Sequence, residues 1–176
     1  MTPTTPSPLP ASTLVLGGAR SGKSAYAESL IESVGGGVYL ATAEAHDAEM
    51  AERVRQHRRR RGSHWTTIEE PLEIVASLRG IDAKTPAVLV DCLTLWLSTL
   101  LEAGRTPNDE FSALADWLGD AALPIVLVAN EVGLGIVPDN LLARRFRDLA
   151  GTLNQLIAGR AQRVTFVAAG LPLDLK

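Results

Sequence analysis

The chain has 176 residues, 46% of them hydrophobic, and a formal net charge of −3 with a calculated pI near 5.6. That length suffices for one domain with a proper core, and the acid excess argues against a general nucleic-acid binder. No run approaches the roughly eighteen apolar residues that a membrane span needs, while the single cysteine, Cys92, excludes an intramolecular disulfide and a cysteine zinc cage and fits a reducing cytoplasm.

Residues 1–12, MTPTTPSPLPAS, are rich in Pro, Thr and Ser without a basic or apolar signal-peptide segment, so they are expected to form a disordered leader. The remainder, 13–176, reads as one catalytic domain. Thr13–Leu16 is a short β-rich run entering a glycine loop, and Lys23–Ile31 then reads as a helix stopped by Gly35–Gly37. Val38–Ala41 is a second strand. Asp47 can cap a helix running through Met50 and Val54 into an arginine run that Gly62 ends. Thr66–Ile68 is a further short strand, and Pro71 suits the first turn of the next helix.

Ala87–Asp91 is a continuous apolar run ending in a carboxylate, followed by an apolar helix over Leu93–Leu101. A loop around Gly104–Asn108 leads to a helix over Glu110–Leu118. Pro124–Ala129 repeats the buried-strand pattern, Asn140–Ile157 has apolar residues at helical spacing, and Val164–Ala168 is expected to be the last strand. Strands without alternation, separated by helices, indicate a mostly parallel sheet covered on both faces. The expected class is α/β, a three-layer P-loop NTPase-like fold.

Gly17-Gly-Ala-Arg-Ser-Gly-Lys-Ser24 matches G-x-x-x-x-G-K-[ST] between a strand and a helix, which is the context that gives the motif its meaning. Gly17 and Gly22 let the backbone of Gly18, Ala19, Arg20 and Ser21 curl so that amide hydrogens point at phosphate oxygens. Lys23 can reach the β- and γ-phosphates, Ser24 can ligate Mg²⁺, and the helix N-terminus adds partial positive charge. The chain is therefore expected to bind a nucleoside triphosphate. Asp91, at the carboxyl end of a buried strand, stands where such a fold places its metal-side carboxylate, and it can also cap the helix from Leu93. Cys92 reads as a packing residue, because no basic cluster adjoins it in sequence.

Arg53–Arg61 holds six of the 17 Lys and Arg residues and no acid, so the rest of the chain is more acidic still. Positive charge is thus local, as expected where one spot must hold a polyanion such as a triphosphate.

The order of Gly17–Ser24, Arg53-x-x-x-His57, Trp65, Val90-Asp-Cys-Leu-Thr-Leu-Trp96, Asn130-Glu-Val-Gly-Leu-Gly-Ile-Val-Pro138, Phe146–Gln155 and Gly170-Leu-Pro172 closely resembles the bifunctional adenosylcobinamide kinase/adenosylcobinamide-phosphate guanylyltransferase family of cobalamin biosynthesis. The resemblance covers nearly everything after the leader. It implies phosphorylation of the aminopropanol hydroxyl of adenosylcobinamide by ATP or GTP. GMP then passes from GTP to that phosphate through a guanylyl-histidine, giving adenosyl-GDP-cobinamide and pyrophosphate. Among His46, His57 and His64, the family pattern selects His57 as the nucleophile, where flanking guanidinium groups disfavour its protonation. It also implies nucleotide contacts at Thr42, Arg58, Arg61 and Glu69, with Glu69 an acidic nucleotide or metal contact beside Ser24 and Asp91. Not all of Arg58–Arg61 can face one ligand from successive helix positions. Glu131 is expected either to orient substrate or a metal-bound water, or to cap a helix. The family further implies Mg²⁺ with GTP or ATP, a cytoplasmic homotrimer and small-molecule substrates rather than nucleic acid. A plain P-loop small-molecule kinase, or a nucleotide-dependent binding protein without transferase activity, are the alternatives.

Overall fold

The computed structural model describes residues 9–43 and 62–176. Among these, seven strands form one sheet: β1 Ser12–Gly17, β2 Gly37–Ala41, β3 Trp65–Glu69, β4 Val88–Asp91, β5 Ile125–Asn130, β6 Arg163–Ala168 and β7 Leu171–Asp174. Their order is β3-β2-β4-β5-β1-β6-β7, parallel throughout except for the antiparallel β6–β7 pair. The helices are α1 Lys23–Glu32, α2 Ile74–Arg79, α3 Leu93–Glu102, α4 Pro107–Gly119 and α5 Leu141–Arg160.

Alternate residues of each strand serve different faces. Leu14, Leu40, Val90, Leu127 and Ala129 join a core closed by α2, α3, α4 and α5 through Ile74, Trp96, Phe111 and Leu153. Val15, Tyr39, Leu89, Val126 and Val128 join a second core against Ala27 and Ile31 of α1. Strands buried on both faces are what a parallel sheet requires, and the three-layer α/β arrangement is the expected one.

Four local expectations change. Residues 9–12 do not all belong to a leader: Ser12 opens β1, Leu9 packs against the α1-side core, and the Ala11 amide donates to Gln162 Oε1 at 3.0 Å. Pro71 precedes α2 rather than starting it. The Glu70 carboxylate accepts from the Leu72 and Glu73 amides at 3.0 and 2.8 Å, which turns the chain before the helix begins. Helix α4 starts at Pro107, inside the expected loop, because a proline at the first helical position costs no intrahelical bond. Val164–Ala168 is not the last strand. β7 follows it at the sheet edge, and such a four-residue strand containing Pro172 gives little periodic signal. The expected helix from Asp47 lies outside the described residues.

Asn140 caps α5, its Oδ1 accepting from the Ala143 amide at 2.7 Å. No helix among the described residues is long and apolar enough to cross a membrane.

Candidate active site

The carboxyl ends of β1, β5 and β4 adjoin, with β5 between the other two. Gly17 pairs with Asn130 across β1–β5, and Asp91 with Val128 across β4–β5. By alternation, Asp91 shares the face of Leu89, and Asn130 that of Val126 and Val128, so both belong to the α1 side of the sheet. The loop from Gly17 to Gly22 leads into α1 on that same side.

Steric facts fix the loop's glycines. A Cβ on Gly17 would lie 2.5 Å from both Ser21 Oγ and the Val167 carbonyl oxygen. Gly22, at the N-terminal edge of α1, has φ +95° and sits against Gly170, whose Cα would be 3.1 Å from an added Cβ. Arg20 also adopts a left-handed conformation, with φ 57°, a costly one for a residue bearing a Cβ. The Gly170 amide donates to the Ser21 carbonyl at 2.8 Å, tying the loop to the β6–β7 turn.

Lys23 is buried, and its Nζ donates to the Gly18 carbonyl at 3.1 Å, so the cation folds back over its own loop. Ser24 follows it in the first turn of α1, half-buried. Among the described residues, Ser21 Oγ in the loop and Asn130 Oδ1 are buried near this edge without a hydrogen-bond partner. The rest of Asn130 is held firmly. Its amide donates to Thr94 Oγ1 at 2.7 Å, and its carbonyl accepts from Asn154 Nδ2 at 3.1 Å. Buried acceptors left over beside an amide-lined loop suit a bound polar ligand, since an unmet acceptor is costly.

Asp91 Oδ2 accepts a hydrogen bond from the Tyr39 hydroxyl at 2.9 Å. Next to it, burial and then the Asp91 charge push the Cys92 thiol up to about 12. The thiol therefore stays protonated at neutral pH and serves packing, as the sequence suggested.

Thr42 directly follows β2. It is 0% exposed, and its hydroxyl donates to the Cys92 carbonyl at 2.7 Å while accepting from the Cys92 amide at 2.8 Å. Both hydrogen-bonding functions of the hydroxyl are engaged, so the side chain clamps the exits of β2 and β4 together. Glu69 ends β3, two strands from Asp91; each pairs with Ala41, one from either side of β2. Glu131 is fixed by its amide donating to the Gly17 carbonyl at 3.1 Å, and its carboxylate accepts from the Gly133 amide, forming a local turn. It caps no helix. His64 is exposed and lies against Trp65, ring centroids 6.3 Å apart. His46, His57, Arg58 and Arg61 lie outside the described residues.

Sequence reading missed Tyr39, Thr94 and Asn154. Tyr39 carried one signal, a polar-tipped residue inside an otherwise apolar strand.

The sequence matches the family described as cobinamide kinase / cobinamide phosphate guanyltransferase over residues 13–175. It is 51% identical over 166 residues to the bifunctional adenosylcobalamin biosynthesis protein CobP of Pseudomonas aeruginosa, covering 93% of this chain and 96% of that protein. The CobU protein of the same description from Salmonella typhimurium is 38% identical over 178 residues, covering 93% and 98% respectively. Among solved structures, the RadB recombinase superposes with a TM-score of 0.54 at 18% identity, over 90% of this chain and 74% of that one. A solved ATPase domain gives 0.50 at 14% identity, over 91% and 70%. These two likenesses concern the fold, which is that of P-loop NTPases.

Proposed function

This chain belongs to the cobinamide kinase / cobinamide phosphate guanyltransferase family, and from that premise we propose how its residues divide the work. It is a bifunctional enzyme of adenosylcobalamin biosynthesis, a cobinamide kinase and a cobinamide phosphate guanylyltransferase. The proposal concerns residues 13–176 as one catalytic unit.

In the first reaction the aminopropanol hydroxyl of adenosylcobinamide attacks the γ-phosphorus of ATP or GTP, and the nucleoside diphosphate leaves. The amides of Gly17, Gly18, Ala19, Arg20, Ser21 and Gly22 hold the phosphate oxygens, that of Ser21 turning from the Gly18 carbonyl to which it donates at 3.3 Å. Lys23 gives up its bond to the Gly18 carbonyl and pairs with phosphate instead. Such preorganised cationic and amide donors act on charge that develops during transfer. Thr42 contributes by holding the loop after β2 against Cys92.

The residues fit a hydrated divalent cation. Among the described residues no cluster of three or more His, Cys, Asp or Glu side chains exists. Mg²⁺ does not need one, since it typically keeps several waters and takes one or two carboxylates plus substrate phosphates. Ser24 and Asp91 would hold it, with Glu69 the further acid on that face, and the unmet Asn130 Oδ1 suits a water of its shell. When bound, Mg²⁺ neutralises phosphate charge.

In the second reaction His57 attacks the α-phosphorus of GTP and pyrophosphate leaves. The cobinamide phosphate oxygen then attacks the guanylyl-histidine, and the imidazole is released. Arg58 and Arg61 serve as phosphate contacts. The single observation that carries this reading is the strand-loop-helix geometry of Gly17–Ser24 at the same sheet edge and face as Asp91, in a chain with this family's sequence. Incubation with α-³²P-GTP and Mg²⁺ followed by denaturation is expected to leave an acid-labile, base-stable label that His57→Ala abolishes. An unlabelled wild type would remove the guanylyl-histidine and favour a plain kinase, and a label persisting in His57→Ala would move the nucleophile elsewhere.

A homotrimer in the cytoplasm completes the reading. Leu134, Ile136, Val137, Leu141 and Leu142 form an exposed apolar stretch beside the site, and Leu171, Leu173 and Leu175 another along the sheet edge, which supports self-association. Analytical ultracentrifugation is expected to give three times the 18.7 kDa chain mass.

A further inference from the structure

We propose that Tyr39 is a positioning residue for the metal-side carboxylate Asp91, setting how the site takes its divalent cation. The inference rests on the reading of Asp91 given above. Tyr39 lies in β2 on the α1 face, 5% exposed, and its ring meets Trp65 edge to face with centroids 6.1 Å apart. The register puts Tyr39 opposite Leu89 and Ala41 opposite Asp91, so the ring reaches diagonally along the face to the strand end. Ala41, directly opposite the carboxylate, carries only a methyl group. The hydroxyl arrives 2.9 Å from Asp91 Oδ2.

A phenylalanine would fill this apolar space without asking for a partner, whereas a buried tyrosine hydroxyl must be paired. Its pairing with the carboxylate is a charge-assisted bond of the stronger kind. Asp91 stands at the edge of the sheet, half-buried, where its side chain would otherwise sample several rotamers. The Tyr39 bond commits one carboxylate oxygen and the side-chain torsion, so the other oxygen meets the cation or its water from a fixed direction. The aromatic contact with Trp65 holds the tyrosine ring in turn. Partners of this kind orient metal-binding side chains elsewhere, and their loss commonly weakens metal affinity by about 10–100-fold.

The test is calorimetric titration of the full chain with a non-hydrolysable GTP analogue, with and without Mg²⁺. Wild type, Tyr39→Phe, Asp91→Asn and the double variant are compared. Tyr39→Phe is expected to weaken Mg²⁺-dependent binding by about tenfold, to leave metal-free binding unchanged, and to add nothing in the Asp91→Asn background. Phenylalanine preserves the ring packing, which near-ultraviolet circular dichroism checks. Equal weakening with and without metal, or additive losses in the double variant, would make Tyr39 a structural residue only. An Asp91→Asn variant that loses Mg²⁺ dependence while Tyr39→Phe keeps it overturns this inference alone. Unaltered Mg²⁺ dependence in Asp91→Asn overturns the reading of Asp91 itself.

Discussion

The two faces of the sheet are built from neighbouring residues of the same strands, yet they do different work. Toward α2–α5 the strands end in apolar side chains, Leu16, Val90 and Ala129, sealed under Trp96, Phe111 and Leu153. Toward α1 the same strands end in Gly17, Asp91 and Asn130, and Tyr39 brings a hydroxyl into the layer beneath. A shift of one residue in any of these strands would exchange the faces. The thick apolar side fixes the strand positions, and the thinner side uses those positions to hold polar groups at an edge where a phosphate chain can enter.

The sharpest way to break this division is to injure each face separately. Trp96→Ala empties a fully buried site and orphans the Leu72 carbonyl, which now accepts from Trp96 Nε1 at 2.9 Å. Urea denaturation is expected to show a loss of about 3–5 kcal/mol, with nucleotide affinity of the folded fraction retained. Lys23→Ala should do the reverse. Kinase kcat/KM is expected to drop about 10²–10³-fold with little change in the unfolding midpoint, because the lysine bonds only to a carbonyl of its own loop among the described residues. Unimpaired kinase activity would refute the role of the P-loop.

Between the faces stands Thr94 of α3, whose hydroxyl accepts from the Asn130 amide. Thr94→Val leaves that amide unmet, and stability is expected to fall by about 1–3 kcal/mol. Kinase activity should fall as well if the position of Asn130 matters to the site. Loss of stability with full activity would confine Thr94 to the scaffold.

The smallest effect lies far from both, on the β7 edge. The Thr165 hydroxyl, donating at 2.6 Å, and the Arg163 guanidinium hold the Asp174 carboxyl below its ordinary 3.8. A depressed carboxyl stabilises the fold above the unfolded value and loses that stabilisation as pH falls through the folded one. Acid titration of Thr165→Ala against the wild type should therefore show a stability gap that narrows below about pH 4, and for so exposed a pair its electrostatic part should stay under about 1 kcal/mol. A gap independent of pH would assign it to packing alone.

What could be read from the chain followed locality. A P-loop is a contiguous backbone device, so Gly17–Ser24 announces itself in eight letters, and apolar runs ending in Gly17, Asp91 and Asn130 announce buried parallel strands. The proposed roles of Asp91 and Lys23 start from those segments. Thr42 illustrates the opposite case. The family pattern implies a nucleotide contact there, while nothing local announces that its hydroxyl is engaged by the Cys92 backbone, 50 positions away along the chain. The short edge strand β7 escaped notice because its pairing with β6, not its own composition, makes it a strand.

The sequence by itself therefore determined the α/β class, the phosphate loop, the family and the candidate roles of Lys23, Asp91 and His57, since each rests on short-range backbone chemistry or on ordered motifs. Only the tertiary structure decided that β5 separates the P-loop strand from the Asp91 strand, that Asn130 stands in register beside Gly17, and that the Tyr39 hydroxyl donates to Asp91. Strand order and side-chain partnership arise from long-range packing, in which residues tens of positions apart become nearest neighbours.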